Sequence, residues 1–195
     1  MKNVYTLRTA TIHDAYEIWS VMDTCYQAME HKEHFIRDDL NYVKDILSGH
    51  GLAVIACDET KKIVGNLLVK YPGLEEENLG YDVFLKNPLS PVSKDALPCR
   101  STSPCNIVLS PETLNRVIHM DSASVLPSHR GNHLESQMIA FAEGLIDTHR
   151  YHYSFATVAP QNTASLKSLE KNGYQVMVTK EKYEGLLRCI LMKRL

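Results

Sequence analysis

The spacing of apolar residues near the start of the chain predicts a strand followed by two helices. Residues 4–8 form a short β-rich run, and Thr11–Asp14 has the capping-box pattern that starts a helix. Apolar residues then recur at helical spacing as far as Met22. A second helix is predicted around residues 38–48, because apolar residues share one side there and two glycines follow.

A β-hairpin is predicted next. Two apolar runs at residues 52–57 and 63–71 flank a polar turn, a pattern typical of paired strands. The first run is nearly continuous in apolar residues, so we expect its strand to be buried on both faces.

Residues 72–116 break this pattern. They contain six of the eight prolines and the acidic run Glu75–Glu77. Because a structureless segment of this length is unusual in a compact domain, we expect a partly ordered insertion with short strands near 81–85 and 106–109. It could serve as a flap over a substrate or as a surface for a partner.

The second half of the chain alternates strands and helices. Predicted strands cover residues 117–125, 153–158, 174–182 and 186–193, and predicted helices cover 133–148 and 162–172. This order predicts a mixed α/β sheet. The length suits one domain over residues 1–195, with the insertion at about 72–116.

Composition narrows the class of protein. A hydrophobic share of 44% is enough for a core, and the net charge of −2 argues against a broad nucleic-acid surface. No apolar run approaches the ~20 residues of a membrane span, and the first residues lack a secretory pattern. The five cysteines are irregularly spaced, as expected of reduced thiols in a cytoplasmic protein. His31 and His34 could share a helix face, but without an evident third ligand we expect no metal site.

One segment has the pattern of an anion site. In Val125–Met138 a predicted strand ends, the chain turns through Pro127 and Gly131, and a helix begins. The first N–H groups of a helix are unpaired and attract anions such as a pyrophosphate. Arg130 adds a cationic fork. The same arrangement is common in α/β proteins, so alone it is a weak signal.

A second segment follows about 30 residues later. Asn162 is at the N-cap position of a predicted helix that ends at Gly173 and is followed by Tyr174. By itself this indicates only a capped helix.

Together, in this order, the two segments resemble the GNAT superfamily of acyl-CoA-dependent N-acetyltransferases. The family's pyrophosphate loop, Arg/Gln-x-x-Gly-x-Gly/Ala after a strand ending V-x-P, matches Arg130–Glu135 after Val125–Pro127. The downstream motif matches Asn162 through Gly173–Tyr174. The resemblance is good over residues 116–195, agrees in element order over 4–71 and does not extend to 72–116. It implies a mixed, mostly antiparallel sheet flanked by helices, with splayed central strands.

The resemblance also implies acetyl-CoA as the acyl donor and no metal. Its pantetheine arm would run along Ser124–Leu126 as an added strand, and its pyrophosphate would bind the loop. The implied cofactor-binding residues are Ser124, Val125, Leu126, Arg130, Gly131, Asn132, His133, Leu134, Glu135, Ser136, Asn162 and Ser165.

The loop departs from the family pattern at two positions. His133 replaces a glycine, which is tolerable if the backbone there is already helical, and a protonated imidazole could contact a phosphate. Glu135 replaces a glycine or alanine. Its carboxylate would repel a phosphate, so we expect its side chain to point outward.

The implied reaction is direct attack of an amine on the acetyl thioester, which requires a base. His119 and Asp121 are candidates, since they lie two apart in a predicted strand and therefore share one face. They could equally form a structural pair. A backbone N–H near Val125 would stabilise the oxyanion.

The position of the family's general acid, a tyrosine seven residues after the motif asparagine, is occupied by Leu169. Tyr174 is an unpromising substitute because the family often has phenylalanine there. Tyr183 is a further candidate.

These residues predict an N-acetyltransferase acting on a primary amine of a small molecule or peptide. The alternative is an acyl-CoA-binding sensor that retains the fold without turnover, and a longer acyl donor is also open. Glu75–Glu77 could attract a polycation or form a solvated surface. The insertion could form a homodimer. We expect neither a nucleic-acid nor a membrane partner.

Overall fold

The computed structural model describes residues 4–32, 35–86 and 107–195. Its strands are β1 (Thr6–Thr9), β2 (Gly51–Cys57), β3 (Ile63–Lys70), β4 (Leu85–Lys86), β5 (Val108–Leu109), β6 (Val117–Val125), β7 (Tyr153–Val158), β8 (Gln175–Lys182) and β9 (Leu186–Arg194). Its α-helices are α1 (Ala15–Gln27), α2 (Leu40–Asp45), α3 (Gly80–Val83), α4 (Pro111–Leu114), α5 (Leu134–Glu143) and α6 (Thr163–Lys171).

Seven strands form one sheet in the order β1-β2-β3-β6-β7-β9-β8, and β4 and β5 form a separate parallel pair. Every neighbouring pair in the large sheet is antiparallel except β6–β7. Helices α5 and α6 pack on one face through residues such as Met138 and Leu169. Helices α1 and α2 pack on the other face through Ile18 and Val43.

The two central strands separate after a short paired stretch. Strand β6 pairs with β7 only from Val117 to His119, opposite Tyr153 to Phe155. Beyond that point β6 continues along β3 and β7 along β9. The predicted mixed α/β fold with splayed central strands is therefore confirmed.

A β-bulge lies in β6 where the two strands separate. Leu67 is opposite Ala123 and Val69 is opposite Met120, so β6 has one more residue than β3 between these pairs. An extra residue on one strand redirects the side chains beside it. Asp121 is consequently exposed to solvent at the gap, whereas Ser122 beside it is buried.

Several elements match the predictions and others differ. Strand β2 is buried on both faces from Ala53 to Cys57, as predicted. Helix α5 ends at Glu143, earlier than predicted, and turns follow it. The strand predicted near 81–85 is wrong, because most of it is the short helix α3. Residues 87–106 and His34 lie outside the described residues.

No helix in the described ranges is both long and apolar enough to cross a membrane. Nor do the described side chains include a group of three or more His, Cys, Asp or Glu residues arranged to hold a metal ion.

Candidate functional site

A wide cavity of about 560 Å³ opens beside the end of β6 and the N-terminal end of α5. It brings together ten of the twelve cofactor-binding residues that the family resemblance implied; Leu126 and Asn132 are not in its wall. The ten are Ser124, Val125, Arg130, Gly131, His133, Leu134, Glu135, Ser136, Asn162 and Ser165. Helix α1 closes one side with Cys25, and Phe35 adds an aromatic surface.

Two lysines in this wall were not predicted. Lys167 and Lys171 are four residues apart on α6, so they project from the same side of the helix. With Arg130 they give the cavity three cationic side chains. Their helical spacing after Asn162 was the available sequence signal.

The turn before α5 is held by side chains of the turn itself. Asn132 Nδ2 donates to the carbonyl oxygens of His129 (2.9 Å) and Arg130 (3.3 Å). Arg130 Nε donates to the Val125 carbonyl at 3.2 Å. These contacts fix the path of the chain between β6 and α5, which gives Asn132 a clear structural role.

His133 has a left-handed backbone conformation, with φ 57° and ψ 26°. We expected the His133 side chain to be tolerated on a helical backbone, but this backbone is not right-handed helical, and α5 begins one residue later. No side chain caps this end of the helix. The first N–H groups of α5 are thus available to an anion in the cavity.

Glu135 lies in the cavity wall rather than pointing outward, so that expectation is wrong. Its Oε1 accepts a hydrogen bond from Ser165 Oγ on α6 at 2.6 Å. Burial raises the pKa of the Glu135 carboxyl, and the hydrogen bond from Ser165 opposes the rise. Asn162 Oδ1 caps α6 by accepting from the Ser165 backbone N–H at 3.2 Å.

Ser124 presents a buried polar atom to the same cavity. The residue is 6% exposed, and among the described residues its Oγ has no hydrogen-bond partner. A buried hydroxyl without a partner costs free energy unless a ligand or water satisfies it. The wall therefore fits a ligand with polar groups along β6 and anionic groups at α5.

A narrow cavity of about 70 Å³ adjoins the wide one at the gap between β6 and β7. Both cavities include Phe35, Ala123, Glu135, Asn162 and Ser165 in their walls. The narrow cavity also includes Asp121, Thr157 and Leu169. The gap between the splayed strands thus connects the anion-attracting end of the site to the Asp121 carboxylate.

Asp121 accepts a short hydrogen bond from the Tyr42 hydroxyl of α2 at its Oδ2. Solvent reaches the side chain, yet protein atoms surround it closely at the cavity, and this desolvation raises the pKa of its carboxyl. The Tyr42 hydrogen bond and the nearby Lys70 oppose the rise. A carboxylate whose pKa is moved toward neutrality is suited to proton transfer.

Asp38 lies beside this group and accepts a short hydrogen bond from Ser122 Oγ. Burial, assisted by the nearby Asp121, raises the pKa of the Asp38 carboxyl to about 6. The free protein therefore holds two adjacent carboxylates, each more easily protonated than in water.

We expect Asp38→Asn to stabilise the protein at pH 7.5 but not at pH 4. The ordinary pKa of an Asp is 3.8. Because the pKa of Asp38 is higher in the folded protein than in the unfolded chain, the folded protein loses stability as pH rises from about 4 to 6, and the loss persists above pH 6. The shift corresponds to at most about 3 kcal/mol, and asparagine still accepts from Ser122. Thermal unfolding at both pH values checks this, with Asp45→Asn on the exposed side of α2 as control; an equal effect at pH 4 would contradict it.

His119 is 5% exposed, and its Nε2 accepts a hydrogen bond from the Leu79 backbone N–H at 3.1 Å. Burial lowers the pKa of the imidazole to about 3, and the positive charges of Lys70 and Lys182 add to this effect. His119 is therefore neutral at physiological pH. It fastens the segment after β3 to the sheet, whereas Asp121 faces the cavity.

Leu169, at the position of the family's general acid, and the two candidate tyrosines lie in different environments. Leu169 is buried and lines the narrow cavity. Tyr174 is buried, and its hydroxyl is hydrogen-bonded to Ser154 Oγ at 2.6 Å. The Tyr183 hydroxyl reaches Thr157 Oγ1 at 3.3 Å.

Comparison with protein-family models gives no match, and no curated protein matches either. Solved structures do match. A GNAT-family acetyltransferase from Streptococcus pneumoniae aligns with a TM-score of 0.65 at 12% identity, over 98% of this chain and 100% of the other. A GNAT superfamily phosphinothricin acetyltransferase from Sinorhizobium meliloti, in complex with AcCoA, aligns with a TM-score of 0.65 at 13% identity. This alignment covers 98% of this chain and 88% of the other. A ribosomal-protein-alanine N-acetyltransferase from Brucella melitensis aligns with a TM-score of 0.64 at 14% identity, over 97% of this chain and 99% of the other.

At these identities the likeness concerns the fold and not the substrate. The alignments extend over nearly the whole of both chains. The chain has the fold of the GNAT-family acetyltransferases.

Proposed function

We propose that this protein is an acetyl-CoA-dependent N-acetyltransferase that moves an acetyl group directly to a primary amine. The observation that carries the proposal is the meeting of two cavities at the splayed strands. The wide cavity has cationic side chains that suit an anion, and the narrow cavity has Asp121 in its wall. The acetyltransferases of the same fold supply the reaction class.

The wide cavity is suited to CoA in two ways. The uncapped end of α5 and the side chains of Arg130, Lys167 and Lys171 would hold the pyrophosphate. Beyond His119, β6 no longer pairs with β7, so its free edge is suited to the pantetheine amides, as in an added strand. Ser124 Oγ would supply a hydrogen bond along that edge.

Acetyl-CoA would supply the acetyl thioester, and the protein's residues would perform the proton chemistry. Asp121 would take a proton from the attacking amine, directly or through a water. A backbone N–H of β6 near Val125 would stabilise the oxyanion. His119 has no part in this scheme, because its low pKa and its bond to Leu79 leave it a neutral structural residue.

A second candidate function is an acyl-CoA-responsive module without turnover. The observations that favour it are Leu169 at the family's general-acid position and the Glu135 carboxylate in the cavity wall. Such a module would bind acetyl-CoA and release no thiol with any amine.

Thermal unfolding with acetyl-CoA, followed by a thiol-release assay, tests the proposal. Ligand at ~100 times its dissociation constant should add roughly 2.7 kcal/mol of stability, a shift of several degrees for a chain of this size. Free thiol is then measured with three acceptors: phosphinothricin, a peptide with an N-terminal alanine, and spermidine. Saturable stabilisation with amine-dependent thiol release supports the enzyme. Stabilisation without release favours the sensor, and no stabilisation at millimolar acetyl-CoA contradicts both.

A further inference from the structure

The tip of the β8–β9 hairpin returns to the gap between the splayed strands. Its turn carries left-handed backbone at Tyr183, Glu184 and Gly185, with φ values of 48°, 62° and 94°. This tight turn brings the Tyr183 hydroxyl to 3.3 Å from Thr157 Oγ1. Thr157 is in the terminal part of β7 and lines the narrow cavity with Asp121 and Leu169.

Ion pairs and a cation hold the hairpin in this place. Lys180 and Lys182 of β8 each pair with Asp82 of α3, at 2.7 and 2.6 Å. Arg188 of β9 is 4% exposed, and its guanidinium lies 5.9 Å from the centre of the Tyr183 ring. Lys182 Nζ of β8 lies 6.0 Å from the same ring centre, so cations from both hairpin strands flank the partly exposed Tyr183 ring.

In the wall of the narrow cavity α6 carries Ser165, whose hydroxyl already donates to Glu135, and Leu169 at the position of the family's general acid. Leu169 contributes only methyl groups there. Thr157 of β7 is also in this wall, and its Oγ1 lies 3.3 Å from the hydroxyl of Tyr183, a partly exposed residue. Two hydroxyls in series from a cavity to solvent form a path for one proton.

We propose that Thr157 contacts the departing CoA sulfur and donates its hydroxyl proton to it, and that Tyr183 positions Thr157 and replaces that proton. The inference rests on the proposed function. The amine nitrogen forms a bond to the acetyl carbon. The C–S bond breaks, and the sulfur keeps the electron pair of that bond. In one concerted transfer the sulfur takes the proton of Thr157 while Thr157 takes the proton of Tyr183, so no alkoxide forms, and water then reprotonates Tyr183. The proton lost by the amine goes to Asp121.

The charge environment keeps Tyr183 in its donating form. Burial raises the pKa of its phenol, as do the negative charges of Asp121 and Asp82, while Arg188 and the bond to Thr157 oppose the rise. Tyr183 is therefore protonated at neutral pH. General acid assistance to a leaving group is worth roughly 10²- to 10⁴-fold.

The test uses Tyr183→Phe and Thr157→Val with two acyl donors of different leaving-group acidity. With acetyl-CoA we expect kcat to fall roughly 10²-fold in each variant, with KM for acetyl-CoA unchanged. With S-(4-nitrophenyl) thioacetate, whose far more acidic thiol leaves unprotonated, kcat/KM should fall by less than about threefold. Thr157→Ser keeps the hydroxyl and should therefore lose far less kcat than Thr157→Val. Tyr16→Phe, on the exposed side of α1, is the control.

Equal losses with both donors would overturn the inference, because they would indicate a structural role. Unchanged kcat in both variants would also overturn it. If Thr157→Val does not fold, Tyr183→Phe and Thr157→Ser still decide between these outcomes. Wild-type protein that releases no thiol with any amine overturns the proposed function instead, so the two failures are distinguishable.

Discussion

Asp121→Asn is expected to reduce kcat for amine acetylation by roughly 10²- to 10⁴-fold and to leave acetyl-CoA binding intact. The asparagine is nearly the same size and still accepts from Tyr42, but it takes no proton from the amine. Asp121 is in the narrow cavity and outside the wall of the wide one, so the donor site keeps its shape. Thiol release measures the loss, and the thermal shift with acetyl-CoA measures the donor site.

The pH profile gives an independent check. The carboxylate form of Asp121 is the active one, and its pKa is raised. Wild-type activity should therefore increase with pH through that raised pKa, and the residual activity of Asp121→Asn should lack this limb.

His119→Asn is the matched control, because His119 is the other candidate base and lies two residues away in β6. We expect it to lower the unfolding midpoint, since it disturbs the bond to Leu79 in the core, and to leave kcat per folded molecule near wild type. If His119→Asn abolished turnover in a folded protein while Asp121→Asn did not, the base would be His119.

Glu135→Gln is expected to tighten acetyl-CoA binding about tenfold at pH 7.5. Glutamine can accept the hydrogen bond from Ser165 Oγ, so the contact between α5 and α6 is retained. What it removes is a negative charge from the cavity proposed for the pyrophosphate. Like charges ~8 Å apart at an effective dielectric of 20 repel by about 2 kcal/mol, which supports a change of this size.

The effect has a defined pH dependence. Burial raises the pKa of Glu135, so the carboxyl gains a proton as pH falls, and wild-type affinity should approach that of Glu135→Gln. Isothermal titration calorimetry between pH 5.5 and 8 gives the difference in acetyl-CoA affinity between the two proteins. Protonation of the CoA phosphates affects both proteins equally and cancels in this difference. Glu170→Gln on the exposed surface of α6 is the control for a general charge effect. Equal affinities of wild type and Glu135→Gln at pH 8 would contradict the prediction.

Local patterns predicted most of the sheet and one end of the site. The seven strands of the large sheet and the four longer helical segments follow from apolar spacing, caps and turn residues, which act over a few neighbouring positions. The Arg130–Glu135 loop and the Asn162 helix were recognisable because their chemistry is contained in short runs. Ten of the predicted residues accordingly meet in one cavity.

The direction of individual side chains could not be predicted in the same way. Glu135 suits the exposed first turn of a helix by local rules, but α6 packs beside it and Ser165 draws it inward. His119 and Asp121 are equivalent by strand periodicity. Leu79 buries one of them, and the bulge in β6 directs the other to the cavity.

The sequence by itself determined the order and type of the main elements, the mixed α/β class, and the two motifs that match the fold of the acetyltransferases. These depend on interactions between neighbours along the chain. The family resemblance implied that the central strands splay. Only the tertiary structure decided that β6 and β7 separate at His119, that Lys167 and Lys171 face the cavity, and that Tyr183 reaches Thr157. Each of these depends on contacts between segments distant in sequence, and no local pattern encodes the distance between them.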